Sequence, residues 1–228
     1  GFSTVTYRGT GVAGTYTGGV GFQSDMTWVK SRTTTENHSL YDAVRGGGKT
    51  IYPNLTYAEN SGNLLTFTTD GFTQNTTNNN DITAPSRYVA WNWDMGGSNA
   101  SNTNGSINST VRANASYGQS IVSYTGNGSA NQTVGHGLSA IPELVIIKAR
   151  EYGSGSWTVY NSFSSGNPSS MFLNLTSAIE NGSGGTSTTS VIGIQTGTAT
   201  GGDSTNRNNE GFIAYAFHSV DGYSKVGS

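Results

Sequence analysis

Two pairs of basic residues are the first candidates for chemistry in this sequence. Lys30 is followed two positions later by Arg32, and Lys148 and Arg150 repeat that spacing in the second half of the chain. Residues two apart in a strand point to the same face. Each pair therefore predicts two adjacent cations that would hold acidic glycans or lipopolysaccharide phosphates. The alternative interpretation is that the charges mark a strand that leaves the core and keep its edge from aggregating.

Aromatic residues are the second group, because a ring can stack on the apolar face of a sugar. Trp91 and Trp93 lie two apart, and Tyr215 and Phe217 occupy the matching positions later in the chain. Rings at repeated positions are predicted to lie in the core, because a sandwich with few aliphatic residues needs their volume. Four other tyrosines lie in stretches rich in Gly, Asn, Ser and Thr and are the candidates for ligand contact: Tyr16, Tyr52, Tyr57 and Tyr152.

Catalysis by a carboxylate pair is a weaker hypothesis. A glycosidase holds two carboxyl groups about 5 to 9.5 Å apart across a sugar. Asp42 and Asp94 become Asn161 and His218 in the second half, so no pair recurs, and we predict neither catalytic residues nor an enzyme. The carboxylates near predicted strand ends are Asp25, Asp42, Asp70, Asp94, Glu143 and Glu151.

The three histidines, His38, His136 and His218, lack the spacing of a zinc site. Structural roles are expected for them, and the sequence predicts no metal and no other cofactor.

The composition excludes several classes of protein. The 228 residues include 33 Gly, 4 Pro and no Cys, and only 11% are charged, with a net charge of -2. A zinc-cysteine module, a disulfide-stapled miniprotein and a polybasic nucleic-acid binder do not fit these values. No apolar stretch is long enough to cross a bilayer. We therefore expect neither a nucleic-acid partner nor membrane insertion.

Apolar and polar residues alternate in short runs, as in Val5-Thr6-Tyr7 and Val122-Ser123-Tyr124. This period of two predicts strands with one buried face. Asp70-Gly71 is typical of a hairpin turn. No stretch has the spacing of an amphipathic helix. The sequence therefore predicts an all-β protein of tandem antiparallel β-sandwich domains with a jelly-roll-like arrangement.

An internal repeat divides the chain, with four matched stretches in the same order. We predict a first β-sandwich over residues 1–97, a polar linker with a possible extra strand over 98–117, a second β-sandwich over 118–221 and the start of a third repeat over 222–228. An end within a repeat predicts a segment of a longer protein. The matches are 1–9 with 118–126, 26–32 with 144–150, 40–44 with 159–163 and 88–93 with 212–217.

Three motifs resemble a repeated domain of uncharacterised function from bacteriophage virion structural and tail-fibre-like proteins, particularly of marine and cyanobacterial phages. They are the Gly-x-Ser-x-Val-x-Tyr-x-Gly repeat, the run 133–138 followed by 141–148, and Ala-Tyr-Ala-Phe at 214–217 before Gly-Tyr-Ser at 222–224. The resemblance covers nearly the whole chain. The first copy has a different sequence at 17–22 in place of the Gly-His-Gly-Leu turn, so a role for His136 would not be shared.

The resemblance implies a virion surface or extracellular location in a tail fibre or similar appendage, with host attachment through surface polysaccharide. It implies partners among virion proteins and other copies of the chain, since fibre proteins commonly form trimers. It carries over no catalytic residue. A cellular surface adhesin or extracellular filament subunit, a glycan-degrading enzyme, and an architectural protein without a ligand remain as alternatives.

Overall fold

The computed structural model describes residues 1–77, 82–161, 169–179, 185–195 and 205–227. Within them every regular element is a β-strand, so the all-β prediction is confirmed. None of these residues forms a helix long and apolar enough to cross a membrane. The chain divides into two compact units. The first comprises Gly1–Leu55 and Glu59–Met95, and the second comprises Thr56–Ala58 and Gly96–Ser228.

The strands are short and separated by turns rich in Gly, Asn and Ser. Those of the first unit are β1 (Phe2–Arg8), β2 (Thr15–Gly18), β3 (Met26–Ser31), β4 (Ser39–Asp42), β5 (Lys49–Thr50), β6 (Asn60–Ser61), β7 (Leu65–Thr68), β8 (Gly71–Gln74) and β9 (Arg87–Trp93). Those of the second are β10 (Ala100–Asn102), β11 (Ser109–Asn114), β12 (Gln119–Thr125), β13 (Gln132–Gly135), β14 (Leu144–Ala149), β15 (Thr158–Asn161), β16 (Ser169–Phe172), β17 (Val191–Ile194) and β18 (Gly211–Phe217).

The first unit is an antiparallel sandwich. Its main sheet has the order β1-β9-β3-β4, and a second sheet has the order β2-β8-β7. Val29, Tyr88 and Ala90 of the main sheet pack with Leu65 and Phe72 of the second sheet in one buried cluster. These core residues follow the alternation along each strand, and burying each large side chain contributes roughly 1.5 to 3 kcal/mol.

The second unit repeats this arrangement with a larger main sheet, of order β10-β11-β12-β18-β14-β15-β16, facing the pair β13-β17. Val122, Ile147 and Ala214 of the main sheet share a buried cluster with Val134 and Ile192 of the facing pair. Each unit therefore has a core of its own between two antiparallel sheets.

The matched stretches of sequence occupy equivalent strands with the same register. In the first unit Ala90 pairs with Val5 on one side and Val29 on the other. In the second, Ala214 pairs with Val122 and Ile147 in the same way. A shift of one residue would turn the other face inward, so equal register means that equivalent residues face the core. The match of 40–44 with 159–163 ends at residues 162 and 163, which lie outside the described residues.

One ring pair shows the same equivalence at side-chain level. Tyr7 stacks on Tyr88 across β1 and β9, with ring centroids 5.1 Å apart. Tyr124 stacks on Phe212 across β12 and β18, with centroids 5.2 Å apart. The main sheets of the two units thus contain the same four strands in the same order, with the same aromatic contact between two of them.

The segment 98–117, predicted as a polar linker with a possible extra strand, contributes β10 and β11 to the second unit. β11 pairs with β12 along its whole length, including Val111 with Val122. Because Val111 joins the buried cluster, this segment is part of the second sandwich. The residues predicted to begin a third repeat contain a turn in which Ser224 donates its backbone N–H to the carbonyl of Val220.

Candidate functional site

Lys148 is the most unusual charged residue of the second unit, because it is 0% exposed. Its neighbours on β14, Ile147 and Ala149, point into the sandwich core, so Lys148 points to the opposite face of the sheet. There its Nζ donates to the carbonyl of Ala149 at 2.9 Å and to that of Thr56 at 3.1 Å. Thr56 belongs to the three-residue segment 56–58 that is part of this unit. The ammonium therefore fastens segment 56–58 to the sheet.

Burial lowers the pKa of Lys148 from 10.5 to about 8, and the negative charge of Glu210 opposes this effect only in part. Desolvation disfavours the charged form of an amine, and the carbonyl acceptors compensate by binding its protons. The side chain of Lys148 does not face solvent. The predicted pairing of Lys148 with Arg150 as a surface clamp for anions is therefore not present in the second unit.

Lys30 occupies the equivalent position on β3 of the first unit. Its Nζ donates to the carbonyl of Ser31 at 2.9 Å and to that of Thr34 at 3.3 Å. The bond to the next residue's carbonyl is thus common to both lysines. Lys30 is only half-buried, and Arg32 is exposed. The basic pair of the first unit lies beside solvent, whereas in the second unit Lys148 is buried and Arg150 is half-buried.

The interpretation of these basic residues as protection of a strand edge is wrong. β3 lies between β9 and β4, and β14 lies between β18 and β15, so both are interior strands. The lysines act on a sheet face and not on a sheet edge.

Two glutamates, Glu151 and Glu210, accept backbone hydrogen bonds that hold the loop after β14. Glu210 accepts the backbone N–H groups of Glu151 and Tyr152 at 2.8 and 2.7 Å. Glu151 in turn accepts the N–H of Gly211 at 2.8 Å. The guanidinium of Arg207 lies 3.7 Å from the centroid of the Tyr152 ring, a cation–π contact. Tyr152 is therefore fixed in the structure and only half-exposed.

The first unit carries a row of half-exposed rings on the face that bears Lys30. Trp28 lies edge-on to Trp91 with centroids 6.3 Å apart, and Phe2 lies against Trp93 at 5.0 Å. Phe2 is 50% exposed. We call these four rings the aromatic face. The prediction that Trp91 and Trp93 form the core is wrong, because on β9 their neighbours Tyr88 and Ala90 supply the core and the tryptophans point the other way.

In the second unit the equivalent positions are more deeply buried. Tyr215, which corresponds to Trp91, is 2% exposed, and it pairs across the sheet with the buried Ile121. Ile213, directly opposite Lys148, is also buried. Lys148, Ile213 and Tyr215 of this face are therefore buried in the second unit, whereas Ile146 and Phe217, the equivalents of Trp28 and Trp93, are half-buried as the tryptophans are.

The tyrosines predicted to contact a ligand lie on different elements. Tyr16 is on β2, is 55% exposed and donates its hydroxyl to the carbonyl of Asp70. Tyr57 lies in segment 56–58 and is 60% exposed. Tyr52 and Tyr152 are half-buried. Tyr16 and Tyr57 are thus the two of this group whose rings are mostly open to solvent.

The six carboxylates considered for catalysis all accept hydrogen bonds from backbone or terminal N–H groups. Asp70 accepts the N–H groups of Gly19 and Gly21, and these bonds lower its pKa. An ionised acceptor of this kind is a poor general acid, which needs a raised pKa. The other acceptor–donor pairs are Asp25 with Met95, Asp42 with Val44 and Arg45, Asp94 with Gly1, Glu143 with Ser219 and Glu151 with Gly211.

The histidines hold their own surroundings together. His38 accepts the indole N–H of Trp28 at 2.9 Å, and burial, with the nearby charge of Lys30, lowers its pKa. His136 is buried, accepts the N–H of Leu138 through Nδ1, and its pKa is lowered chiefly by burial. The described part of the chain has no group of three or more His, Asp or Glu side chains able to hold a metal ion.

A repeated pentapeptide that sequence analysis missed turns out to position segment 56–58. Asn-Leu-Thr-x-Ala occurs at 54–58 and again at 174–178. Asn54 Oδ1 accepts the N–H of His38 at 3.0 Å, and Asn174 Oδ1 accepts that of Trp157 at 2.8 Å. His38 directly precedes β4, and Trp157 directly precedes the equivalent strand β15. The repeated pentapeptide could have been found from the sequence, but its residue types do not indicate any particular chemistry.

Comparison with known proteins places the chain in one family. No curated protein and no solved structure matches it. The sequence profile of a domain of unknown function, DUF7483, matches residues 1–228. Since the profile spans the full length, the chain belongs to the DUF7483 family.

Proposed function

We propose that this chain is a structural and adhesive segment of a bacteriophage surface appendage, such as a tail fibre. The observation that carries the proposal is the duplication of one β-sandwich with equal strand order and register in both copies. Tandem sandwiches of this kind extend a protein and present loops at regular intervals. The resemblance of the sequence motifs to phage virion proteins supports the proposed location.

The polar surface suits this role. Low net charge and an abundance of Gly and hydroxyl or amide side chains keep such an array soluble without attracting nucleic acid or anionic membranes. Many weak contacts along repeated units add up to firm attachment through avidity. The function therefore needs no single deep pocket.

Host polysaccharide is the proposed ligand of the adhesive role. The exposed rings of Tyr16 and Tyr57 are open to stacking on sugars, and the exposed Arg32 is open to their acidic groups. Lys148, in contrast, is committed to backbone carbonyls and is not part of this ligand surface. The contacts with sugar are thus proposed to lie on separate loops.

Competition for host cells tests the adhesive role. An excess of purified chain is expected to slow phage adsorption to its host, and the double variant Tyr16→Ala, Tyr57→Ala is expected to compete less well. Val12→Ala, at another exposed apolar position, is the matched control. Competition that is absent or insensitive to the tyrosines would leave an architectural role only. Release of soluble sugar from host polysaccharide by the chain would favour a glycan-degrading enzyme instead.

A further inference from the structure

We infer that the aromatic face and Lys30 of the first unit bind the loop 173–179 of a second copy of this chain, in a head-to-tail contact. This inference deepens the proposed structural role, because it names the surface through which repeats join. In the second unit segment 56–58 lies on this sheet face beside the buried Lys148, whereas the equivalent Lys30 of the first unit is half-exposed.

The donor loops of the two copies are equivalent. Ile51 pairs with Leu40, and Met171 pairs with Val159 at the matching position. Three residues after Ile51 and Met171, the Asn-Leu-Thr-x-Ala pentapeptide begins in each copy.

A common turn leads into both pentapeptides. Leu55 donates its N–H to the carbonyl of Tyr52 at 3.0 Å, and Leu175 donates to that of Phe172 at 3.5 Å. Together with the side-chain caps made by Asn54 and Asn174, this turn gives the two loops the same starting geometry.

The first of these loops contacts the sheet face that bears Lys148. Thr56 accepts the hydrogen bond from Lys148, and a Cβ built at Gly153 would lie 3.8 Å from the backbone nitrogen of Ala58. Segment 56–58 therefore lies on the second unit's sheet between Lys148 and the loop after β14. Lys148 is fully buried at this contact.

The second loop presents apolar side chains to solvent. Leu173, Leu175 and Ile179 are 42%, 46% and 54% exposed. Three large aliphatic residues within seven positions form an unusual exposed group in a chain this polar, and such patches mark interaction sites. In the first copy the equivalents of Leu173 and Leu175, Pro53 and Leu55, are buried and half-buried.

The acceptor surface of the first unit has the parts that the occupied site uses. Lys30 already makes the bond to Ser31 that corresponds to the one between Lys148 and Ala149. Its longer bond, to the carbonyl of Thr34, is the one that the carbonyl of Thr176 would replace. The half-exposed Trp28 and the rest of the aromatic face supply the apolar surface that Leu175 and Ile179 need.

Such a contact joins two different surfaces and does not close on itself, so it produces open chains of molecules. Sedimentation velocity of the 228-residue chain is expected to show an average mass that rises with concentration without reaching a plateau. Leu175→Asp in the loop and Trp91→Ala on the aromatic face are each expected to weaken association by about tenfold or more. Phe2→Asp, at a 50% exposed position at the edge of the face, is a second face variant. Val12→Asp should associate like the wild type.

Mixing provides the sharpest test. The Leu175→Asp chain keeps an intact aromatic face, and the Trp91→Ala chain keeps an intact loop 173–179. Their mixture can make only one such contact per pair, so it should form 1:1 dimers and nothing larger. A wild type that stays monomeric at millimolar concentration, or a Leu175→Asp variant that associates like the wild type, would overturn the inference. A monomer whose tryptophan fluorescence responds to host polysaccharide would assign the aromatic face to sugar.

The absence of cysteine allows a second measurement in the same chain. Thr35 follows Lys30 by the same number of residues as Gly153 follows Lys148. A short bifunctional thiol reagent should therefore link Ala178→Cys of one molecule to Thr35→Cys of another. It should not link Ala178→Cys to Val12→Cys, and Ala58→Cys with Gly153→Cys is the positive control within one chain. Linkage to Val12→Cys at the same rate would contradict the contact. Association by this route in a protein absent from phage particles would leave the contact standing and remove only the proposed location.

Discussion

The buried ammonium of Lys148 makes the stability of the second unit depend on pH in an unusual direction. Folding lowers the pKa of this lysine from 10.5 to about 8 because the sheet face is desolvated. Between these values the unfolded chain binds the proton and the folded chain does not. The free energy of unfolding therefore rises with pH in this window, since it rises wherever the unfolded state binds more protons.

The size of the effect follows from the two pKa values. They differ by about 2.5, and each pKa unit corresponds to 1.36 kcal/mol, so the ammonium costs the folded state about 3 kcal/mol at pH 7. That cost is present in full below pH 8 and disappears by about pH 10.5. Lys148→Met keeps the apolar stem and removes the titrating group, so the difference in stability between wild type and variant isolates this contribution from all other groups.

Urea unfolding followed by circular dichroism, repeated from pH 7 to pH 10.5, measures the difference. The unfolding free energy of the wild type relative to Lys148→Met should be constant below pH 8 and then rise by about 3 kcal/mol. Lys30→Met, at the equivalent position of the first unit, controls for loss of a lysine charge elsewhere. A difference that stays flat to pH 10.5, or that falls, would refute the argument that burial controls this lysine.

Three other substitutions test contacts inside the units. Asp42→Ala removes one of the two carboxylates that bind the buried guanidinium of Arg45, leaving Glu59, and should cost about 1.5 to 3 kcal/mol in urea unfolding, whereas an unchanged stability would contradict a role for this ion pair. Asp70→Asn should speed hydrogen exchange at the amide of Gly21 near pH 7; in the wild type the same loosening should appear as the pH falls through the lowered pKa of Asp70, and equal rates in both proteins would contradict it. Asn174→Ala removes the cap on the backbone N–H just before β15 and should lower stability by about 1 kcal/mol, whereas no change would mean that the turn holds without it.

The sequence was sufficient to predict the strands, the repeat and the sandwich. Alternation in runs such as Val5-Thr6-Tyr7 identifies the strands, and the matched stretches lie in equal register because each places the same residues on the core face. The lack of amphipathic-helix spacing argued against helices, and the lack of cysteine excluded disulfides. These features depend on local patterns, which is why they can be obtained without coordinates.

The burial of Lys148 and the exposure of the tryptophans depend on which face of each sheet packs against other residues. The alternation of apolar and polar residues does not identify that face. On β9 both parities are apolar, with Tyr88 and Ala90 on one face and Trp91 and Trp93 on the other, so counting by two left the choice open. Lys148 and Lys30 have equivalent neighbours in sequence. Lys148 is buried and donates to Thr56 of segment 56–58, whereas Lys30 is half-buried and donates to Thr34.

The central claim, that this repeated β-sandwich is part of a phage appendage, is tested most directly by locating the protein. Gold-labelled antibodies against the chain, applied to phage particles and host cells from the source culture, should mark an appendage of the particle at regular positions. Labelling confined to the host cell surface or to extracellular filaments would contradict the claim and favour a cellular adhesin.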